Sequence, residues 1–200
     1  MVNSEHSYQT LSGAAEGIYT EKGSKFIGIV FPVSTEADFK NTLKEIQSKY
    51  KGARHYCYAY SIMKGNETIH RSSDDGEPSG TAGKPILNQL ISSQITNAGI
   101  VVVRYFGGVL LGTSGLVRAY RQAAQEALKN SSVRVIEKTV TIQISCDYPT
   151  YIALMPIIKK HRGNIVQLEA AETMNFQINI PQSELKKFEN EILSLSLKYK

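Results

Sequence analysis

Residues 72–121 read SSDDGEPSGTAGKPILNQLISSQITNAGIVVVRYFGGVLLGTSGLVRAYR: an acidic loop, a short helix, an apolar strand, then a glycine turn opening a long helix. In the loop, Gly76, Gly80 and Gly83 stand beside Pro78 and Pro85. Residues free to take positive φ thus alternate with residues locked at about −65°, which predicts a loop of fixed shape. Gly99 followed by Ile100, Val101, Val102 and Val103 reads as a strand buried on both faces. Arg104, Tyr105 and Phe106 end it. Gly107, Gly108 and Gly112 form the turn, Thr113 and Ser114 are N-cap candidates, and Leu116, Tyr120, Ala123 and Ala127 make one helical stripe.

A strand, a glycine turn and a helix N-terminus together collect unpaired backbone amides and the positive end of a helix dipole, which suits an anion. The candidate anion or nucleic-acid site is therefore Arg104, Gly107, Gly108, Gly112, Thr113, Ser114, Arg118, Arg121 and Lys84. In this reading Arg118 and Arg121, one turn apart, converge with Arg104 on the turn. The alternative is that Arg104 pairs with Asp74 or Asp75 to hold the acidic loop, and the glycines only close a tight turn. The spacing from Gly107 to Gly112 imitates the start of a P-loop, but Thr113 stands where that motif has lysine, so no NTPase is assigned. Asp74, Asp75 and Glu77 form a second candidate site, as Mg²⁺ ligands or a base, against capping or ion-pair roles.

DDGEPSGTAGKP (74–85) and VVVRYFGGVLLGTSGLVRAYRQA (101–123) resemble the signature of the IMPACT/YigZ family, whose members are associated with translation control. The resemblance implies an α+β chain of two domains. The first, residues 1–135, is expected to have the β/α sandwich fold of a small-subunit ribosomal protein domain shared with elongation factor G. The second, residues 136–200, is expected to be ferredoxin-like. Eukaryotic members carry an extra amino-terminal module that competes for the activator of an initiation-factor kinase; these 200 residues show no such segment, and that mechanism is not expected here.

The composition is that of a globular protein, 42% hydrophobic and 20% charged, with no apolar run of the roughly 18 residues that a membrane span needs. With no signal-peptide core at the start, a cytoplasmic protein that avoids membranes is expected. Cys57 and Cys146 belong to no C-x-x-C pair, so neither a disulfide framework nor a zinc site is indicated. A net charge of +5 and a pI near 9.1 favour polyanionic partners in a general way.

Along the chain, residues 11–33 read as a hairpin about Glu21, Lys22 and Gly23, and Ser34 or Thr35 caps a helix bearing Phe39, Leu43, Ile46 and Tyr50. Residues 53–63 alternate His55, Cys57, Ala59 and Ser61 with Tyr56, Tyr58 and Tyr60. The tyrosines either stack bases on an open sheet face or pack within the sheet. His55 and Cys57 with His70 form a weak metal pattern, and no metal or cofactor is expected. Beyond residue 136 a β-α-β-β-α-β order is expected. It has strands at 137–146, 165–171, 174–180 and 193–199, a helix opened by Pro149 carrying Ile152, Met155 and Ile158 and closed by Gly163, and a helix capped by Ser183.

These readings favour a non-enzymatic regulator linked to translation or stress response. It would bind RNA, a ribosome-associated component or a protein partner through the glycine turn. The alternative is an enzyme or sensor for a small phosphorylated ligand.

Overall fold

The computed structural model of the chain describes residues 6–65 and 67–193. After Ser7–Leu11 (β1), Lys22 and Gly23 both take positive φ, 45° and 76°, as a type I′ turn requires. They fold Ala15–Glu21 (β2) back on Ser24–Pro32 (β3) in antiparallel register. Glu36–Lys49 (α1) follows, with Thr35 as its cap: the Thr35 hydroxyl accepts from the Asp38 amide, and the Asp38 carboxylate accepts from the Thr35 amide. The remaining strands of this unit are His55–Lys64 (β4), Glu67–Ser73 (β5) and Ala98–Tyr105 (β6). Its other helices are Gly83–Ser92 (α2) and Gly112–Lys129 (α3), before Val133–Glu137 (β7), which pairs with β1.

Two units emerge, residues 9–135 and residues 6–8 with 136–193. In the larger one, the sheet runs β2-β3-β6-β4-β5 and all its pairings are antiparallel. Because side chains alternate across a strand, β6 sends Ile100 and Val102 into a core beneath α2 and α3, and Val101 and Val103 into a second core beneath α1. The β3 residues split the same way, Phe26 and Val30 against Ile27, Ile29 and Phe31. The sheet is thus covered on both faces, which explains why its middle strand is apolar from Ala98 to Val103.

α3 lies unusually near the sheet because its inner face is Gly115, Ala119, Ala123, Ala124 and Ala127 with Leu116 and Tyr120. The strands answer with glycine. A Cβ added at Gly28 would stand 2.2 Å from the Ala123 carbonyl oxygen, and one at Gly17 would stand 2.3 Å from the Ala127 amide nitrogen.

The smaller unit runs Thr139–Cys146 (β8), Tyr148–Lys160 (α4), Asn164–Ala170 (β9), Met174–Pro181 (β10) and Leu185–Leu193 (α5). Its sheet is antiparallel, in the order β8-β10-β9. Ile142, Ile144, Leu154, Ile158, Phe176, Ile178, Phe188 and Ile192 fill its core. Buried His161 ties α4 to α5: its ring nitrogens lie 3.1 Å from Glu184 and 2.8 Å from Glu191. Three local expectations change here. Ile152 is 49% exposed and Leu154 takes the inward position, four residues before Ile158. The left-handed residue after α4 is Arg162, at φ 56°, rather than Gly163. The Ser183 hydroxyl donates to Glu137, which also accepts from both terminal nitrogens of Arg162. Leu193 ends α5, and the rest of the expected final strand lies outside the described residues.

Replacing Gly28 by alanine should force α3 away from the sheet and destabilise the protein by about 2 kcal/mol or more in urea unfolding. Gly13→Ala, where a Cβ meets nothing within 4 Å, should change stability by less than about 0.5 kcal/mol. Equal effects at the two positions would contradict this packing.

Candidate functional site

The strand register decides what the acidic loop must do. Arg104 follows Ile100 and Val102 on the same face of β6, so a guanidinium enters the row of side chains that α3 covers. Its cross-strand neighbours are Phe26 on β3 and His55 on β4. Only 6% of the Arg104 side chain is exposed, and a charge so placed needs a partner. Glu77 supplies it. One Glu77 carboxylate oxygen accepts from Arg104 Nη1 at 2.5 Å and from the Tyr120 hydroxyl of α3 at 2.7 Å, with His55 Nε2 3.9 Å away. The Arg104 guanidinium also lies near the Phe26 and Phe106 rings, at 5.4 and 5.6 Å from their centroids.

The loop is held by its own carboxylates. Asp74 accepts three backbone amides, Gly80 at 2.8 Å, Ala82 at 2.9 Å and Gly83 at 2.8 Å, and so satisfies the start of α2. Burial alone would push the Asp74 carboxyl up, but hydrogen bonds from Gly80, Gly83 and Ala82 outweigh it and hold the carboxyl below its ordinary value. Asp75 accepts the Tyr56 amide at 2.6 Å, and its carbonyl accepts from His55 Nδ1 at 2.7 Å, which fixes the proton on that nitrogen. The three acids therefore point at three different partners. The carboxylates take capping and ion-pair roles rather than a shared Mg²⁺ or base arrangement, and Arg104 pairs with Glu77, not with Asp74 or Asp75.

Cys57 is fully buried and its thiol donates to the Asp74 carbonyl at 3.0 Å. Burial pushes both this thiol and the neighbouring Tyr120 phenol well above their ordinary ranges, so both stay protonated. His70 lies opposite Ser61 on β5, which leaves it no common site with His55 and Cys57. Among the described residues no group of three or more His, Cys, Asp or Glu is placed to hold a metal ion. No helix among them is long and apolar enough to cross a membrane.

The glycine turn differs from its expected form at both ends. The Gly107 amide donates to Ser24 Oγ at 3.1 Å, and a Cβ at Gly107 would stand 1.9 Å from the Gly23 carbonyl carbon, so Gly107 locks onto the β2–β3 turn. Gly108 and Gly112 take φ of 88° and 70° and face open space. α3 begins at Gly112 behind Leu111, with no side-chain cap. Thr113 and Ser114 lie inside the first turn of the helix, where they cannot serve as its cap.

Above the Glu77–Arg104 pair lies a cleft of about 380 Å³. Glu77, Arg104, Leu116 and His55 form its deeper wall; Arg54, Gly76, Pro78, Phe106, Leu110, Leu111, Gly112 and Thr113 line the rest. Leu110 is 82% exposed, and the Arg54 guanidinium lies 5.9 Å from the Phe106 ring centroid. Of the expected anion-site residues, Arg104, Gly112 and Thr113 line this cleft. Gly107, Gly108, Ser114, Arg118, Arg121 and Lys84 do not: Arg118 pairs with Glu21 of the hairpin, and Arg121 and Lys84 are exposed on their helices. The tyrosines of β4 are corrected too. α1 covers their face, with Phe39 ring centroids 5.0 Å from Tyr58 and 4.6 Å from Tyr60, while the Tyr56 hydroxyl donates to the Tyr50 carbonyl. Arg54, His55 and Phe106 belong to the cleft and were missed as site residues. Only the register of β4 beside β6 could have placed them there.

The larger unit is thus a three-layer antiparallel sandwich with this cleft at the start of its longest helix. The family model for the Impact N-terminal domain matches residues 22–128. An IMPACT family member of Haemophilus influenzae is 33% identical over 176 residues, 88% of this chain and 85% of that protein. The IMPACT family member YvyE of Bacillus subtilis is 32% identical over 193 residues, 96% of this chain and 88% of that protein. A crystal structure described only as a hypothetical protein superposes with a TM-score of 0.79 at 26% identity, covering 98% of this chain and 97% of that one. The chain belongs to the IMPACT family.

The Asp74 carboxyl gives this site a pH dependence of defined sign. A folded-state pKa below the unfolded one contributes stability that is full above the unfolded value of about 3.9 and is lost as pH falls through the folded value. The unfolding free energy of the wild type should exceed that of Asp74→Asn at neutral pH, and the gap should narrow as pH falls below about 4. A gap that stays constant over that range would contradict the assignment.

Proposed function

We propose that the protein is a non-enzymatic regulator linked to translation or stress response, and that it acts by binding nucleic acid at the cleft beside α3. Family membership supports the process, since the resemblance to IMPACT/YigZ proteins implies translation control. One observation supports the partner: the uncapped start of α3 meets Arg54, Arg104 and Phe106 in a single cleft. Unpaired helix amides and guanidinium groups attract phosphate, and an exposed ring offers a stacking surface for a base. The chain's net charge of +5 favours the same encounter. A ribosome-associated component is one source of such a ligand.

We assign the unit of residues 9–135 to the β/α sandwich shared with a domain of elongation factor G, and the unit of residues 136–193 to the ferredoxin-like class. The order β8-α4-β9-β10-α5 with β10 between β8 and β9 supports the second assignment.

A second reading, a sensor or enzyme for a small phosphorylated ligand, draws on the size of the cleft. About 380 Å³ lies within the roughly 300–1,000 Å³ range of small-molecule sites.

Fluorescence anisotropy with single-stranded RNA measures the favoured reading. Affinity should fall as salt rises, and Arg54→Ala should weaken binding and flatten the logarithmic salt slope by about 0.7. Arg54 is exposed, so the fold should survive its loss. An absence of RNA binding at low salt, or binding that ignores Arg54, would overturn the nucleic-acid assignment.

A further inference from the structure

The walls of the cleft are unequal. Its floor is buried: Arg104, Glu77 and Leu116 are 5%, 9% and 6% exposed. Its rim is open, with Arg54, Phe106, Leu110, Gly112 and Thr113 all exposed. A cleft with a buried floor and an open rim takes the charged end of a ligand inward and leaves the remainder at the rim.

The floor also holds an unmet donor. Glu77 accepts from Arg104 Nη1, while Arg104 Nε is buried with no hydrogen-bond partner. A buried N–H left unpaired is costly, and a ligand oxygen on the floor recovers that cost when the guanidinium turns its Nε toward the cleft. Around the same space stand the first amides of an eighteen-residue helix with no side-chain cap, and the Arg54 guanidinium on the rim. Arg54 and Arg104 against Glu77 leave the cleft one positive charge in excess. These groups suit a dianionic tetrahedral oxyanion. Phe106 and Leu110 beside it suit a flat apolar ring.

We propose that the cleft binds a terminal phosphate monoester of a nucleotide, with phosphate oxygens at Arg104 Nε, Arg54 and the first turn of α3, and the base against Phe106. This rests on the reading of the cleft given above and narrows it to an end group. The chemistry is shared by the 5′-phosphorylated end of an RNA and by a free nucleoside monophosphate. Both bind without a chemical step.

The test compares one single-stranded RNA carrying a 5′-phosphate with the same RNA carrying a 5′-hydroxyl, alongside AMP, adenosine and inorganic phosphate, on the full chain. Amide shifts of Gly112 and Thr113 report occupancy. The phosphorylated RNA should bind about tenfold tighter than the hydroxyl form. AMP should shift both amides where adenosine does not. Arg54→Ala should abolish the difference, as should Arg104→Lys, which keeps a cation beside Glu77 and so spares the fold better than alanine. Amides that move with AMP while no RNA binds would uphold the phosphate site with the free nucleotide as its source, and would sink the nucleic-acid reading. RNA binding that is equal with either end would overturn the terminal-phosphate site and leave that reading standing. A 5′-phosphate preference unchanged in both variants, or amides silent to AMP and to phosphorylated RNA alike, would overturn it as well.

Discussion

A carboxylate buried under α3 organises the larger unit. β6 must carry apolar side chains on both faces because helices cover both, yet its seventh residue is Arg104, set by register among core residues. Glu77 answers that charge, and the hydroxyl of Tyr120 completes the junction. One carboxylate thereby joins the acidic loop, the central strand and the longest helix. A buried ion pair adds little net stability compared with an apolar replacement, but breaking it by removing one partner costs about 3–5 kcal/mol. Its contribution is to fix which loop conformation and which helix position go together.

The second constraint is steric. Glycine in β2 and β3 and alanine along α3 let helix and sheet approach until no methyl group fits between them. With α3 seated so low, its N-terminus borders one cleft with the end of β6 and the start of β4, and the segment after Arg104 cannot run straight into the helix. It projects Phe106, Val109 and Leu110 outward and closes on Gly23 and Ser24 through Gly107. The cleft is the space left between this projecting turn and the acidic loop. Its charge and its shape have one origin, since the Glu77–Arg104 pair forms the floor and the loop held by Asp74 forms a wall.

Much of the fold was legible in the amino acids. Alternation at residues 26–33 and the branched run 100–103 indicated strands, and the stripe Leu116, Tyr120, Ala123 and Ala127 indicated the buried side of α3. Those signals are local, and periodicity carries them. The site was less legible because it depends on pairings across the sheet. Nothing in the order Asp74, Asp75, Gly76, Glu77 says which acid meets Arg104; the turn at Asp75, with φ of 41°, separates their directions. Thr113 and Ser114 resembled caps by residue type, but the cap position falls at Leu111, two residues before Thr113. The tyrosines of β4 read as available for stacking by residue type, but α1 lies across them. Arg54 and Phe106 are far apart in sequence and meet only because β4 pairs with β6.

The central claim is that Glu77 and Arg104 act as one buried unit holding loop, strand and helix together. A double-mutant cycle on unfolding free energy measures this directly, using Glu77→Gln, Arg104→Gln and the pair. Each single change should cost about 3 kcal/mol or more, while the double variant should cost less than their sum by at least about 2 kcal/mol. Additive costs would show that the two side chains do not depend on each other, and would contradict the account.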